Sequence, residues 1–329
     1  MPPRRNKGST SDPKWLPDPE LDSFEICTLQ LLGLPSLEEE PGDELVATLI
    51  RQRAPVSSKA LLYVHGWDDY FFQSHLAAEI AEAGYDFYAI DLHRYGRSLR
   101  PGQLPGYCSD LAEYDQELLE AVLMIRNEGH DRIVLMGHST GGLIAALWAD
   151  AHPGVVDGLA LNSPWLESRG YPALRQAVQL MVSAASQVSP TTALPVRDLG
   201  FYRRSISDTE DGIWSYNLDL KGDKQFAVRL GWLGAVTTGH RKVASGLNID
   251  VPVFMAASAS SETGIRWNEN MHRADIVLDV DLLASKAHLL GVLVTLVRVR
   301  GGKHDLALSD EGPRRNYFRE LRRWLAAYV

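Results

Sequence analysis

The sequence predicts an α/β fold, in which a mostly parallel central sheet carries helices on both faces. Apolar segments of strand length alternate along the chain with longer segments in which apolar residues recur every three or four positions. Strands that alternate with helices are joined by right-handed crossovers, and these bury a parallel sheet on both sides. A glycine-containing turn at residues 137–142, between one such strand and one such helix, is a further indication of this class.

Composition and charge limit the kinds of partner. The 329 residues are 45% hydrophobic and 23% charged, which is typical of a globular protein. The net charge of −9 argues against a nucleic-acid partner, because little of the chain would neutralise a phosphate backbone. Arginines within residues 314–323 have helical spacing beside apolar residues, so we interpret them as a solvated helix face.

The cysteine count and the apolar segments bear on location. Two cysteines are too few for a disulfide framework, which favours a reduced, cytoplasmic protein. The basic start is not followed by an apolar stretch of signal-peptide length, and no run of about 18 apolar residues predicts a transmembrane segment. We expect no metal or organic cofactor, because no His, Cys and Asp cluster has metal-ligand spacing. Nothing in the composition indicates an oligomeric state.

The predicted elements follow in order. Residues 1–22 are rich in Pro, Ser, Gly and charge and predict a disordered tail. Residues 24–31 and 45–50 alternate apolar and polar side chains, which predicts an antiparallel hairpin. We predict buried parallel strands at residues 60–64, 85–90, 132–136, 155–161, 251–256 and 294–299. We predict helices at residues 71–83, 111–125, 142–149, 173–185, 280–290 and 314–328.

The α/β rhythm is interrupted at residues 167–247, after the sixth predicted strand. This segment contains a group of aromatic residues: Phe201, Tyr202, Trp214, Tyr216, Phe226 and Trp232. We therefore predict an insertion into a single core domain that is made of residues 23–166 and 248–329.

The pentapeptide Gly137-His138-Ser139-Thr140-Gly141 lies between a buried strand and a helix. A tight strand-to-helix turn crowds the backbone around its central residue, so small residues are needed two positions before and after it. Such a turn projects the side chain of Ser139 at the carboxyl end of the sheet, above a helix N-terminus. A glycine-rich loop with a capping serine is the alternative, but the flanking strand and helix favour a nucleophile.

A serine nucleophile needs a base, and the base needs an orienting carboxylate. In the chain order serine, acid, histidine, each partner follows a later strand. His304 follows the last predicted strand in a glycine loop, so we predict that it is the base. The acid should follow the strand at residues 251–256. The carboxylates available there, each of which could instead be a helix cap or a surface group, are Glu262, Asp275, Asp279 and Asp281.

An oxyanion hole needs two backbone N–H groups directed at the developing charge. Thr140, the residue after the predicted nucleophile, supplies the first. The loop that follows the strand at residues 60–64 begins with His65 and Gly66, and Gly66 allows a close backbone approach. We predict that the N–H of Trp67 is the second donor.

These residues together resemble the α/β-hydrolase superfamily, and within it the monoacylglycerol-lipase and lysophospholipase-like group, also described as serine aminopeptidase S33. The similar motifs are His65-Gly66, the Gly-His-Ser-Thr-Gly turn, His304-Asp305 and residues 91–98, in which Arg94 replaces the usual first glycine. The resemblance implies an α/β-hydrolase fold in which residues 167–247 form a cap over the active site. The cap's aromatic residues would line an apolar pocket or form the cap's own core.

The same resemblance bears on the acid and on function. In related enzymes the acid precedes a short apolar step, which favours Asp275 over Asp279 and Glu262. The implied activity is a serine hydrolase that cleaves small acyl esters, such as monoacylglycerol or lysophospholipid, through an acyl-enzyme on Ser139. Three alternatives stay open: a peptidase or amidase with the same triad, a non-catalytic ligand-binding protein, and a dehalogenase or epoxide hydrolase. The last would need a carboxylate where Ser139 stands.

Overall fold

The computed structural model describes residues 14–34, 36–37, 40–41, 45–52, 56–170, 172–196, 198–222 and 226–329. Its strands are β1 (Leu16–Pro17), β2 (Phe24–Gln30), β3 (Val46–Gln52), β4 (Lys59–Val64), β5 (Asp86–Asp91), β6 (Arg132–His138), β7 (Gly158–Asn162), β8 (Val253–Ser258) and β9 (Val294–Val299). Its α-helices are α1 (Ser74–Glu82), α2 (Asp115–Asn127), α3 (Thr140–Ala151), α4 (Pro172–Val188), α5 (Phe201–Ile206), α6 (Leu230–Ala244), α7 (Val280–Ala284) and α8 (Glu311–Tyr328).

The strands within these described residues form one nine-stranded sheet in the order β1-β2-β3-β5-β4-β6-β7-β8-β9. β1, β2, β3 and β5 pair antiparallel in that sequence, and every pair from β5 through β4 to β9 is parallel. The carboxyl ends of β4, β6, β7, β8 and β9 therefore meet at one edge of the sheet, where open α/β sheets bind their ligands. The predicted α/β-hydrolase fold with a mostly parallel sheet is confirmed.

The continuous apolar strands are explained by burial on both sheet faces. Along β4, Leu62 and Val64 belong to the apolar cluster on one face, whereas Leu61 and Tyr63 belong to the cluster on the other. Helices α2, α3 and α6 contribute to the first cluster, and α1 and α8 contribute to the second. Because successive strand residues point to opposite faces, a sheet covered on both sides requires apolar residues at every position.

The predicted insertion holds α4, α5 and α6 among its described residues. The sequence analysis did not predict α6, which contains Gly231, Gly234 and Gly239, residues that disfavour a helix. Packing accounts for at least one of them, since a Cβ at Gly239 would lie 3.0 Å from Leu147 Cδ1 of α3. Glycine here lets α6 approach α3 closely, so tertiary packing overrides the local preference.

The predicted tail is wrong for its last residues. Leu16 pairs with Ile26 as part of β1, and the carboxylate of Asp18 is buried in an ion pair with Arg97 at 2.8 Å. Local composition does not reveal a partner so distant in sequence. Residues 1–13, for which the tail was also predicted, lie outside the described residues.

Two predicted helices are divided in the structure. Residues 111–125 begin with a 3-10 turn at Leu111–Tyr114, capped by the side chain of Asp110, before α2 starts. Residues 280–290 form α7 and then a separate 3-10 turn at Ala287–Leu289. In both segments the apolar periodicity continues through the change of helix type, so the pattern alone does not mark it.

Arg94, the departure from the family motif, has a structural role. Its φ of 63° lies in the left-handed region, where glycine is usual, and its side chain is buried. The guanidinium binds both carboxylate oxygens of Glu40, at 2.9 and 2.7 Å, and donates to the Tyr107 carbonyl at 3.1 Å. The Arg94 side chain thus joins three distant parts of the chain, and these contacts offset the strain in its backbone.

We predict that Arg94→Gly destabilises the protein by about 1–4 kcal/mol at pH 7.5, measured by urea denaturation. Relief of the strained φ recovers about 1–2 kcal/mol, but loss of the guanidinium leaves a buried carboxylate without its cation, which costs about 3–5 kcal/mol. A variant as stable as the wild type would show that the ion pair contributes no more than the strain it offsets, about 1–2 kcal/mol.

The pH dependence of this effect is also predicted. Burial raises the pKa of Glu40, but hydrogen bonds from Arg94 and from the Leu104 amide outweigh it, so the pKa lies below the usual 4.5. In the wild type this stabilisation is present above pH 4.5 and is lost as pH falls through the lower folded-state pKa. Without Arg94, burial should leave the pKa of Glu40 raised, so the variant gains stability on acidification. The difference in unfolding free energy between the wild type and Arg94→Gly should therefore be smaller at pH 4.5 than at pH 7.5. In the double variant Arg94→Gly/Glu40→Gln, which lacks the titrating carboxylate, this dependence on pH should disappear.

Candidate active site

Ser139 lies at the junction between β6 and α3, in a backbone conformation that few residues adopt. Its φ is 51° and its ψ is −116°. A Cβ at Gly137 would lie 2.4 Å from the Gly141 carbonyl oxygen, and a Cβ at Gly141 would lie 2.1 Å from the His65 carbonyl oxygen. Glycine is therefore required at both positions, for the steric reason that the sequence analysis gave.

The side chains of Ser139, His304 and Asp275 form a hydrogen-bonded chain. His304 Nε2 lies 3.0 Å from Ser139 Oγ, and His304 Nδ1 lies 2.9 Å from Asp275 Oδ2. All three residues are buried. Because an ionised carboxylate only accepts hydrogen bonds, the Asp275 contact places the ring hydrogen on Nδ1 and leaves the Nε2 lone pair facing the serine hydroxyl.

Asp275 is held as a carboxylate by its surroundings. Its Oδ1 accepts hydrogen bonds from the amides of Val277 and Leu278 at 2.8 and 2.7 Å. Burial raises the pKa of Asp275, but His304 and these two amides lower it by more, so the pKa lies below its ordinary value. The carboxylate is therefore ionised at neutral pH beside the imidazole.

A backbone bridge explains how Asp275 reaches this place after a long loop. The amide of Asp275 donates to the Ser260 carbonyl at 2.9 Å, and the amide of Glu262 donates to the Asp275 carbonyl at 2.9 Å. These bonds pair residues 261 and 275 as a parallel bridge and fold the intervening loop outward. Asp275 therefore lies just beyond the end of β8, although 16 residues separate it from Ser258 in the chain.

The other candidate carboxylates have different partners. Asp279 caps α7 by accepting hydrogen bonds from the amides of Asp281 and Leu282. Asp281 pairs with Arg298 at 2.9 Å. Glu262 lines the cavity described below and accepts a hydrogen bond from the Gly264 amide at 3.1 Å. The structure thus brings Asp275 to His304 and gives Asp279 the capping role that was its alternative.

The loop after β4 approaches Ser139 closely. A Cβ at Gly66 would lie 3.2 Å from Ser139 Cβ, a contact so tight that a side chain here would press on Ser139. His65 stabilises this loop, because its Nε2 accepts the Leu92 amide at 3.1 Å while its Nδ1 donates to the Gly66 carbonyl at 2.8 Å. The next residue, Trp67, lines the same cavity as Ser139.

The two predicted oxyanion donors, Thr140 and Trp67, have different surroundings. Thr140 is the first residue of α3, and an N–H at that position has no carbonyl one turn earlier to accept it. The Trp67 ring packs against the rings of Trp232 and Phe226, with centroid distances of 3.7 and 5.7 Å. The Trp67 side chain therefore also packs beneath the insertion.

Asp305, which the sequence places only within a motif, and two residues that were not predicted, Asn162 and Gln73, support the His304 loop. The carboxylate of Asp305 accepts hydrogen bonds from Asn162 Nδ2 at 2.7 Å and from Gln73 Nε2 at 3.2 Å. The Asn162 side chain also accepts the Leu306 amide at 3.2 Å. Asn162 ends β7, so a polar residue at the carboxyl end of a buried strand was the signal available in the sequence.

His138 is a neutral neighbour of this network. Its ring centroid lies 4.9 Å from that of His304, and its Nδ1 lies 3.1 Å from the Asn162 carbonyl oxygen, to which it can donate. Burial lowers the pKa of His138, which keeps a second positive charge away from the imidazole that faces Ser139.

A cavity of about 420 Å³ opens above Ser139 and His304. Its apolar wall comes from both the insertion and the loop before α7, and consists of Leu199, Phe201, Ile206, Ile265, Met271, Ile276 and Val277. Its polar wall includes Asp68, Asp69, Arg169 and Lys221. Burial raises the pKa of Asp68 from 3.8 to about 6.

The aromatic residues of the insertion divide between the two roles considered for them. Phe201, Tyr202 and Tyr216 line the cavity. Trp214 donates its indole N–H to the Leu308 carbonyl at 2.7 Å, and Trp232 packs on Trp67. Some of these side chains therefore shape the pocket while others attach the insertion to the core.

Neither a candidate metal cluster nor a helix suited to a membrane is found in the described part of the chain. No group of three or more His, Cys, Asp or Glu residues there is placed to hold a metal ion. None of the helices in the same ranges combines the length and the apolar character needed to cross a membrane.

The curated relatives that this chain resembles have several activities. It is 28% identical to epoxide hydrolase 3 of Xenopus tropicalis over 171 residues, which is 50% of this chain and 45% of that protein. It is 37% identical to human 1-acylglycerol-3-phosphate O-acyltransferase ABHD5 over 79 residues, or 24% and 22% of the two chains. It is 28% identical to lysophospholipase L2 of Escherichia coli strain K12 over 132 residues, or 37% of each. The chain thus spans less than half the length of these relatives.

Solved structures share the fold at low sequence identity. The monoglyceride lipase of Saccharomyces cerevisiae superimposes with a TM-score of 0.61 at 15% identity, covering 92% of this chain and 99% of that one. The Paleococcus ferrophilus monoacylglycerol lipase gives 0.60 at 19% identity, covering 85% and 99%.

The family follows from the sequence profile that matches the chain. Residues 56–260 match the serine aminopeptidase S33 profile. This range runs from β4 to the end of β8 and includes the Gly-His-Ser-Thr-Gly turn and the insertion. The resemblance indicated by the motifs is confirmed, and the chain belongs to the serine aminopeptidase S33 family of α/β-hydrolases.

Proposed function

We propose that this protein is a serine hydrolase that cleaves carboxylic esters through an acyl-enzyme on Ser139. One observation carries the proposal: the buried chain of hydrogen bonds from Ser139 Oγ through His304 to Asp275, with distances of 3.0 and 2.9 Å. A nucleophile, a base and an orienting carboxylate in this order are the requirements for acyl transfer. The absence of a carboxylate at residue 139 disfavours epoxide-hydrolase chemistry, although one relative bears that name.

The proposed reaction has two stages. His304 Nε2 takes the Ser139 proton as the hydroxyl oxygen attacks the ester carbonyl, and Asp275 stabilises the imidazolium that forms. The N–H groups of Trp67 and Thr140 hold the oxyanion, and His304 returns the proton to the departing alcohol. In the second stage His304 activates a water molecule, which attacks the acyl carbonyl and releases Ser139.

The cavity supports an acyl ester of moderate size. Its apolar wall suits an aliphatic chain, while Asp68, Arg169 and other polar residues could contact the alcohol part. The names of a lysophospholipase relative and of two monoacylglycerol lipase neighbours agree with such a substrate. We therefore propose monoacylglycerols, lysophospholipids or similar acyl esters. A peptidase or amidase is the second candidate, because the matched family is described as an aminopeptidase.

The first prediction concerns the nucleophile. A fluorophosphonate probe should label the wild-type protein, and Ser139→Ala should abolish the labelling, because the variant lacks the hydroxyl that lies 3.0 Å from His304 Nε2. Ester turnover should fall by roughly 10³-fold or more in the same variant. Labelling is read by intact mass and by the modified peptide. Equal labelling of the variant would place the reactive group elsewhere, and an unlabelled wild type would favour a non-catalytic binding protein.

The second prediction concerns the acid. Asp275→Asn should lower kcat on an activated ester by roughly 10³- to 10⁴-fold, because an amide can impose the wrong imidazole tautomer. Asp279→Asn is the matched control, since asparagine can still cap α7, and it should keep nearly full activity. Near-normal turnover of Asp275→Asn would remove it from the mechanism.

The third prediction concerns the substrate. Along a series of p-nitrophenyl esters, kcat/KM should rise by up to about fourfold per added CH₂, the value expected for full burial, until the chain fills the cavity. Monoacylglycerols and lysophospholipids should be cleaved in the same assays. Aminoacyl p-nitroanilides run beside them test the peptidase, which a higher kcat/KM on the anilides would favour. A flat ester series would contradict an apolar acyl pocket.

A further inference from the structure

On the side of the insertion, Trp232 and Phe226 pack on the Trp67 ring, and one turn makes polar contacts with the loop that bears Trp67. We call residues 66–70 the oxyanion loop and residues 217–222 the clamp turn. Lys221 Nζ of the clamp turn lies 2.5 Å from Asp69 Oδ1, and the Asn217 amide donates to the Tyr70 hydroxyl at 2.8 Å. The clamp turn therefore binds the oxyanion loop through one ion pair and one hydrogen bond.

The ion pair is buried, which makes it costly to break. Asp69 is 1% exposed and Lys221 is 6% exposed. Burial lowers the pKa of Lys221, but Asp69 raises it by more, so the ammonium stays charged. Removing one partner of a buried pair leaves the other charge without compensation, which is strongly unfavourable. The two segments are therefore strongly coupled.

The geometry connects this pair to the reacting atoms. Asp69 follows Trp67 by two residues, and its Oδ1 also accepts the Tyr70 amide at 2.9 Å, so the carboxylate is rigid. Lys221 and Trp67 both line the cavity above Ser139. A change in the position of Asp69 is thus transmitted through two peptide units to the Trp67 N–H.

Polar contacts from the core hold the loop at Gly66, whose carbonyl accepts a hydrogen bond from His65 Nδ1 at 2.8 Å, and at Phe71, directly after its last residue. The carboxylate of Asp91 accepts the Phe71 amide at 2.9 Å, and Arg97 donates to the Phe71 carbonyl at 3.0 Å. These bonds begin at residue 71, whereas the contacts of the clamp turn are made at residues 69 and 70. The part of the loop nearest to Ser139 therefore depends on the insertion as well as on the core.

We propose that Lys221 is a positioning residue, which acts through its ion pair with Asp69 to keep the Trp67 N–H directed at the oxyanion. This inference rests on the proposed ester hydrolysis. It assigns to the insertion a part in transition-state stabilisation in addition to forming the cavity wall. An oxyanion donor that is misdirected acts on the transition state and has little effect on ground-state binding.

The test compares Lys221→Met, Lys221→Arg and Asp69→Asn in the full-length protein. On p-nitrophenyl butyrate, Lys221→Met should lower kcat by about 10- to 100-fold and change KM by less than about threefold, since a complete loss of one donor costs roughly 10²- to 10³-fold. Lys221→Arg keeps a cation for Asp69 and should recover most of kcat. The double variant Lys221→Met/Asp69→Asn should be no slower than the slower single variant, because both changes remove one interaction.

Lys286→Met is the matched control. Lys286 also forms a largely buried ion pair, with Glu167 at 3.3 Å, but it does not line the cavity. We expect this variant to lose stability in urea denaturation while kcat stays within about twofold. If Lys221→Met lowered stability alone and left kcat unchanged, the pair would be structural and the proposal would be overturned.

Hydrogen exchange separates this proposal from the proposed function. In Lys221→Met, or in Asp69→Asn if the first variant does not fold, exchange at the amides of residues 67–70 should accelerate by about tenfold or more. Amides of α8 should be unaffected. Faster exchange in a protein whose wild type cleaves no ester would refute the hydrolase while supporting the coupling. Unchanged exchange together with unchanged kcat would refute the coupling while leaving the hydrolase intact.

Discussion

The strained backbone of Ser139 is the constraint on which the rest of the site depends. A residue with a Cβ rarely adopts a φ of 51°, and it does so only where its surroundings determine the conformation. Here the Ser139 amide donates to the Asn162 carbonyl at 3.1 Å, while its own carbonyl accepts the amides of Gly142 at 3.0 Å and Trp165 at 2.9 Å. The turn is thus tied both to the end of β7 and to the chain that leads into the insertion.

The parallel sheet then brings the remaining groups to the same edge. Ser139, Asn162 and His304 lie at or just after the carboxyl ends of β6, β7 and β9, and backbone bonds tie the neighbouring strand ends together. For example, the Ala259 amide at the end of β8 donates to the Val299 carbonyl at the end of β9, at 2.8 Å. Because these parallel strands end at the same edge of the sheet, groups that are distant in sequence lie close together there.

The features of the fold and site that could be predicted from the sequence are those marked by a pattern in neighbouring residues or by the order of the strands. The two faces of the sheet impose continuous apolar strands, and the turn at Ser139 imposes Gly137 and Gly141, so both leave marks within a few residues. These features gave the fold and the nucleophile candidate directly. His304 was selected by its place in the order of the strands, which is also a property of the one-dimensional pattern.

The features that sequence reasoning missed depend on long-range contacts. The ordered residues 14–22 are held by Arg97, and α6 forms despite its glycines because it packs on α3. Asp275 was only the preferred choice among several carboxylates, since the bridge between residues 261 and 275 that carries it to β8 has no local pattern. The Asp69–Lys221 pair was missed for the same reason, because its partners lie on different segments.

The polar contacts of the insertion indicate which part of it is held in place beside the candidate active site. Residues 201–221 attach to the core through buried bonds: Lys303 Nζ donates to the Ser205 carbonyl at 2.8 Å, and Trp214 donates to Leu308. The core partners in these two bonds, Lys303 and Leu308, lie on either side of His304 in the chain. The Tyr202 ring also meets the His304 ring edge-on at 5.5 Å. Breaking these bonds would leave buried polar groups unsatisfied, at about 1–3 kcal/mol each. These contacts lie next to His304, so lifting this part of the insertion would disturb the loop that carries His304. A ligand that reaches the cavity without disturbing this loop must therefore enter by a route that leaves the contacts intact.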